Sequence, residues 1–387
     1  MKIKCVVCIL ITKFIAFTTH ALYAQDPSRY TVVYSPIPPM KQVIKEYKQK
    51  YPDIKIILND EKGIWDREKS ERISLEQDLT IGGSLEDEDP YIFHRSAGIV
   101  SDRFGNIYVS AFMSDIPIKK FDSQGRYLGT VGSVGVGPGE FTGMYQLIIT
   151  KDDTLNVFCQ GTNRIEKYDM NGKYTRSITL RGKSFEMGDL YFLINNEGDI
   201  LISAYERESD GVIHLFSKTG EYLHSFGDPV DVHGDRPFSD LTISGIISKG
   251  LLLLVNDELW YSQRNPYEIR KYQNNRLTQV IFRRNDFMPA FSVRVPKTGG
   301  GNLVTSPAAS VALGRWKDYI INAVHIPSGK QKLTVVDLFN LEGELLTSLS
   351  IDKKIYFASI DQQGRLYGRT GGYQEPEAVV RYKLVEK

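Results

Sequence analysis

Three cysteines in 387 residues, two of them at positions 5 and 8, leave Cys159 as the one thiol in the body of the chain. An internal disulfide framework is therefore excluded, and stability must come from a packed core. Neither charge is in excess. The 48 Lys+Arg stand against 47 Asp+Glu with no basic stripe, which removes nucleic acid as a partner. No uninterrupted apolar run reaches the about 20 residues that a membrane-spanning helix needs. Short motifs of several reaction classes are missing too. Gly132, Gly135, Gly137 and Gly139 are followed by a strand-like run and no Lys-Ser/Thr, so no helix N-terminus is there to cradle phosphate. No Gly-x-Ser-x-Gly occurs, and His94, His214, His224, His233 and His325 lack His-x-x-x-His spacing. Glu86-Asp87-Glu88-Asp89 lacks the spaced alternation of a calcium loop and reads as a solvated acidic turn. The sequence thus leads to an expectation of no cofactor and no local metal site.

What is present begins with a leader. Lys2 and Lys4 precede an apolar run from Cys5 to Phe17 broken by Thr12 and Lys13, and Ala21-Leu22-Tyr23-Ala24 offers a small residue before Gln25. Residues 1–24 read as a cleaved secretory signal. Its removal leaves 45 basic against 47 acidic residues and no transmembrane segment in the mature chain. The expected location is exported: periplasmic, or extracellular at the cell surface. Cys159 closes the run Leu155-Asn156-Val157-Phe158-Cys159 and reads as a small buried hydrophobe.

The body of the chain repeats. An aromatic or apolar residue, a turn residue, two variable residues and Gly recur as Phe121-Asp122-Ser123-Gln124-Gly125, Tyr168-Asp169-Met170-Asn171-Gly172 and Phe216-Ser217-Lys218-Thr219-Gly220. Degenerate copies stand at Tyr272-Gln273-Asn274-Asn275 and Leu338-Phe339-Asn340-Leu341-Glu342-Gly343. Upstream of each copy lie two strand-like runs around a polar turn, as in Gly98 to Ser110. A period of 40 to 50 residues built from four short strands predicts propeller blades, because one such sheet cannot bury both faces alone.

Inner strands are expected near residues 96–101, 145–150, 190–195, 243–248, 308–313 and 355–360, which makes six blades. The last repeat ends at its third strand, Ala378 to Leu384, and residues 72–81 resemble the strand that is missing. The fold class is all-β: a six-bladed β-propeller of four-stranded antiparallel blades over residues 72–387, closed by an N-terminal strand. Residues 25–71 form an extension in which Met40, Val43, Ile44 and Tyr47 trace one face of a short helix.

Gly137-Pro138-Gly139-Glu140-Phe141, with Asn163-Arg164-Ile165, Tyr168-Asp169 and Gly172, resembles the NHL-type propeller repeat. With its leader, the chain is similar to the exported six-bladed propeller proteins of Bacteroides-like bacteria. That resemblance implies the fold and no single activity. The metal-binding lyases of the NHL group use inner-strand His, Asp and Arg, whereas Cys159 and Gln160 stand in the second repeat where an acidic residue is common. Loops from every blade converge at a channel mouth, so His94, Arg95, Tyr145, Tyr191, Arg315, Trp316 and Tyr356 are the expected ligand-binding residues there. Trp260, Tyr261 and Tyr267 form a second aromatic group. The expected function is an exported, non-catalytic recognition or scaffold protein for a glycan, a peptide or a cell-envelope protein. The alternative is a metal-assisted lyase or lactonase.

Overall fold

The computed structural model describes residues 30–34, 40–93, 96–111, 118–142, 145–185, 190–204, 209, 211–229, 249–264, 267–284, 292–296, 303–305, 309–328, 331–351, 353, 355–372 and 375–387. Six sheets follow one another around a ring. Blade 1 is Ser96–Ser101, Ile107–Ala111, Ile118–Phe121 and Tyr127–Val131. Blade 2 is Tyr145–Ile149, Leu155–Cys159, Arg164–Tyr168 and Tyr174–Thr179, and blade 3 is Tyr191–Ile194, Ile200–Ser203, Ile213–Phe216 and Tyr222–Phe226. Blade 4 is Gly250–Val255, Glu258–Gln263, Glu268–Gln273 and Arg276–Arg283; blade 5 is Ala309–Trp316, Tyr319–Ser328, Gln331–Phe339 and Leu345–Ile351. Blade 6 takes Tyr356–Ile360, Leu366–Gly372 and Glu375–Glu386 from the end of the chain and Ile73–Gly82 from its beginning. The molecule is a six-bladed β-propeller.

One turn chemistry makes most of the hairpins. Asp102, Asp122, Asp169, Asn195, Ser217, Asn340 and Asp361 each accept, on the side-chain oxygen, the backbone N–H four residues on. Three residues on, a glycine N–H donates to the same residue's carbonyl. That glycine is left-handed in every copy, as at Gly220 with φ 90°. A Cβ on Gly220 would also stand 2.2 Å from the Thr179 carbonyl oxygen of the preceding blade, so the position must be glycine twice over. In blade 4, Asn274 and Asn275 do the same work with φ 50° and 63°. The inner strand of blade 4 departs from expectation. It is Gly250–Val255, set by the left-handed pair Asn256-Asp257 that turns it into Glu258–Gln263. The expected strand at 243–248 lies outside the described residues.

A second regularity concerns burial. Two residues before the aromatic of the third strand, blades 1 to 5 carry Lys119, Glu166, His214, Arg270 and Asp337, between 0% and 7% exposed. Four of them grip the segment that leads into their own blade. Lys119 Nζ donates to the Pro90 and Ile92 carbonyls, and Glu166 accepts the Gly139 N–H at 3.0 Å. Arg270 donates to the Asp228 carbonyl at 2.5 Å, and Asp337 binds Arg283 Nη1 at 2.5 Å. Buried charge thus locks blades 1, 2, 4 and 5 to their predecessors. His214, held by Ser225 Oγ at 2.7 Å and the Ala204 carbonyl, serves the outer hairpin of its own blade.

The N-terminal residues belt the outside. The Met40–Lys50 helix lays Tyr47 edge-on to Phe282, with centroids 5.9 Å apart, and the Tyr47 hydroxyl donates to Glu268. Burial holds that hydroxyl's pKa well above its usual value against the pull of Arg270, so it stays a donor. Lys55–Asn59 then adds a fifth, parallel strand to blade 4. Asn59 ties this strand to blade 5 through the Gly343 carbonyl and the Leu345 N–H. Trp65 packs against Tyr319, and Asp66 takes the Thr347 hydroxyl at 2.6 Å. Ile73–Gly82 finally runs antiparallel to Glu375–Glu386 and closes the ring.

A protein beginning after Gly82 leaves the third strand of blade 6 as an open edge. It is expected to lose several kcal/mol, roughly 10 °C or more of melting midpoint, and to associate. Circular dichroism melting with light scattering checks this; an unchanged midpoint refutes closure by residues 73–82.

Candidate functional site

Antiparallel alternation gives the ring two mouths. The upper one gathers the starts of inner and third strands and the ends of second and outer strands; the lower one gathers the inner hairpin turns. Tyr145, Tyr191 and Tyr356 are the first residues of inner strands in blades 2, 3 and 6, so all three backbones start at the upper mouth. The expected residues do not form one cluster. Tyr191 packs against the apolar cluster of blades 4 and 5. His94 and Arg95 lie outside the described residues, between Phe93, which bridges Glu377, and Ser96.

Tyr356 does anchor a cluster. Arg369, its register partner on the second strand, sits over the ring at 5.0 Å from the centroid. His325 from blade 5 meets the same ring edge-on, with centroids 5.0 Å apart at 81°. Arg369 Nη1 donates to Glu377 Oε2 at 3.0 Å, and Glu377 Oε1 accepts the Ser96 N–H at 2.7 Å. Blades 5, 6 and 1 thus meet in a half-buried group in which a guanidinium and an aromatic face stand side by side. Such a cation–π contact is worth about 0.5–1 kcal/mol where water reaches it. Arg369, His325 and Glu377 were missed in the sequence because their adjacency depends on strand register and blade stacking.

Arg315 and Trp316 are placed at the opposite end. They close the blade 5 inner strand, Ala309–Trp316, and so belong to the lower mouth. The strand continues three residues past residue 313, the end expected for it, and this carries both side chains across the blade. There they join a continuous clasp between inner turns. Arg103 pairs with Asp153 at 2.8 Å, Lys151 with Asn196 at 3.2 Å, and Asn196 with Asp257 at 3.3 Å. Arg315 reaches Asn256 at 3.4 Å, and Ser101 donates to Asp361 at 2.8 Å. Trp316 sits on Gly364, where a Cβ would stand 2.4 Å from its own. Every pair of neighbouring blades is joined.

Trp260, Tyr261 and Tyr267 are buried, at 0%, 0% and 5% exposure, and fill the space between blades. The Gly137–Phe141 turn is fixed by Arg164 and Glu166: the ion pair is 2.8 Å, and Arg164 donates to the Gly137 carbonyl at 2.8 Å. Cys159 is fully buried, and burial, reinforced by the Glu166 charge, pushes its thiol up to about 12. Lys119 neutralises Asp89 at 2.7 Å, and Asp87 caps Ser84, so two of the four clustered acids serve their own loop. Among the described residues, no three His, Cys, Asp or Glu side chains stand together as metal ligands. Among them, too, no helix is long and apolar enough to cross a membrane.

Residues 105–195 match the DUF5128 family model, described as a 6-bladed beta-propeller. No curated protein matches the chain. Two crystal structures share the architecture. A Bacteroides fragilis NCTC 9343 protein described as exported is 9% identical at TM-score 0.55, over 85% of this chain and 99% of that one. A DUF4221 family member from Bacteroides vulgatus ATCC 8482 is 10% identical at TM-score 0.56, over 82% and 99%. At such identities the likeness concerns the fold.

Glu166→Ala leaves the partly buried Arg164 and the buried Gly139 N–H without their acceptor and is expected to cost about 1–3 kcal/mol, read as a lower urea midpoint. An unchanged midpoint shows that Arg164 does not depend on its partner. In a Cys5→Ser/Cys8→Ser protein, Cys159 is expected to resist alkylation at pH 8 until the chain unfolds; native-state labelling at the rate of a free thiol contradicts its burial.

Proposed function

We propose that the protein is an exported, non-catalytic recognition propeller that binds a glycan, a peptide or a protein partner at the upper mouth of its channel. Export rests on residues 1–24, whose charged start, apolar run and small-residue end fit a cleaved signal. Binding rests on one observation: Tyr356, Arg369 and His325 converge from two blades into a half-buried group at a mouth where loops meet. A ring face takes the apolar side of a sugar or a peptide side chain. A guanidinium beside it forks to carboxylate or hydroxyl oxygens, and the buried Glu377 fixes its direction. Tyr145, Tyr191, His94 and Arg95 border the same mouth in sequence and complete the proposed surface. Arg315 and Trp316 are left to the lower clasp.

Glycan and peptide arrays, followed by ligand-dependent melting, test the reading, because a ligand bound only by the folded state raises the midpoint. Tyr356→Ala and Arg369→Lys, the latter keeping a cation beside the buried Glu377, are each expected to weaken binding about tenfold or more while the protein stays folded. Binding that survives both substitutions places the site elsewhere.

A further inference from the structure

The outer edges of the six blades are not treated alike. Blade 4 has its edge covered: residues Gln279–Arg283 pair in parallel with Lys55–Asn59. The outer strand of blade 5 receives the Ile64–Arg67 turn through Asp66 and Thr347. In blade 6 the outermost strand carries Glu76 and Asp78, the latter paired with Arg381 at 2.8 Å. Blade 2 places the exposed Arg176 in mid-edge, and blade 3 carries the exposed His224 and ends at Asp228, which Tyr51 and Lys50 engage. Charge or cover is the usual protection of an open edge, since unpaired N–H and C=O groups recruit further strands.

Blade 1 lacks both. Its outer strand, Tyr127-Leu128-Gly129-Thr130-Val131, has no charged residue and, among the described residues, no fifth strand on its free edge. Gly129 faces Lys120 as Gln279 faces Lys271, so Gly129–Val131 begins the counterpart of the stretch that blade 4 fills with a fifth strand, before the left-handed Gly132 turns the chain into its pairing with Glu140–Phe141. No atom stands within 4 Å of where a Cβ on Gly129 would be. Exposed apolar side chains gather here as well. Of nine large hydrophobics exposed among the described residues, Ile92, Tyr127, Leu128, Val134 and Val136 lie on this strand or on the segments bordering blade 1. The Tyr91 hydroxyl, next to Ile92, accepts the Tyr127 N–H at 3.3 Å and ties that loop to the edge.

We propose that the outer edge of blade 1 is a self-association surface, on which the same strand of a second copy pairs antiparallel about a two-fold axis. An identical edge is the occupant whose chemistry fits. It brings the open backbone groups of Gly129–Val131 to the same groups of its partner, buries no charge, and covers the exposed Leu128 of both copies. A partner approaching with a charged strand would leave that charge without a counterpart.

Light scattering on the eluting protein, over a roughly hundredfold range of concentration, reads the assembly. A dimer that dissociates on dilution is expected. Leu128→Lys is expected to weaken it at least about tenfold, whereas Leu223→Lys, at the same bulged position in blade 3, leaves it intact. A Leu128→Cys/Thr130→Cys protein is expected to cross-link between copies on oxidation. Both lysine variants sit at exposed positions, and matching melting curves confirm that they fold. A monomer at every concentration overturns the proposal; so does a dimer that both lysines, or neither, disrupt.

Discussion

Everything in this molecule depends on the antiparallel pairing of Ile73–Gly82 with Glu375–Glu386. A propeller blade buries its faces only against neighbours, so the first and last blades are complete only if the ring is continuous. Here continuity is made inside blade 6, by backbone hydrogen bonds between residues about 300 positions apart, reinforced by Arg381 with Asp78 and Lys387 with Glu71. The belt of residues 40–72 has its mechanical sense from the same requirement. Asn59, Trp65 and Asp66 pin it to blades 4 and 5, which delivers the closing strand to the edge it must fill. Loop-closure entropy grows slowly with length, so anchoring along the way matters more than the distance in sequence.

Much of this architecture is legible in the chain because the repeat is written in turn chemistry. An Asp, Asn or Ser followed three residues later by Gly has one local solution, and it recurs from Asp102 to Asp361. The six-blade count and the closing strand follow from that spacing. Three things were not legible. The inner strand of blade 4 depends on a two-residue Asn-Asp turn that differs from the repeated one. Arg315 and Trp316 are hydrophilic and aromatic in the manner of binding residues, yet strand length alone carries them to the far mouth. His325, Arg369 and Glu377 come together only through register across blades, which no local pattern encodes.

The two mouths follow different rules. At the lower one, short turns project side chains sideways; polar contacts join five pairs of neighbouring blades, and the packing of Trp316 on Gly364 joins blades 5 and 6. Individual contacts of this exposed kind contribute little, typically below about 1 kcal/mol. Their continuity fixes the relative rotation of blades more than it stabilises any one of them. At the upper mouth the connections between blades are held from beneath by buried charge, as Lys119 holds the 89–92 loop and Glu166 holds the Gly139 turn. This leaves the loop surfaces free of structural duty. Sequence change there alters what the mouth presents without loosening the sheets below it.

Blade 6 is where that arrangement breaks, and the break coincides with the Tyr356 cluster. In blades 1, 2, 4 and 5 a buried charged residue lies two residues before the third-strand aromatic, and in blade 3 His214 takes that place. In blade 6 that position is Val380, 2% exposed and part of the apolar core, with Tyr382 as the aromatic. The buried carboxylate of this strand is Glu377, three residues earlier and towards the upper mouth, where it binds the first strand of the following blade through Ser96 and also pairs with Arg369. One carboxylate thus ties blade 6 to the start of blade 1 and holds a guanidinium over the Tyr356 ring. In a molecule whose other blades carry this group two residues before the aromatic, a shift of three residues is enough to put the ion pair beside an aromatic ring that starts an inner strand.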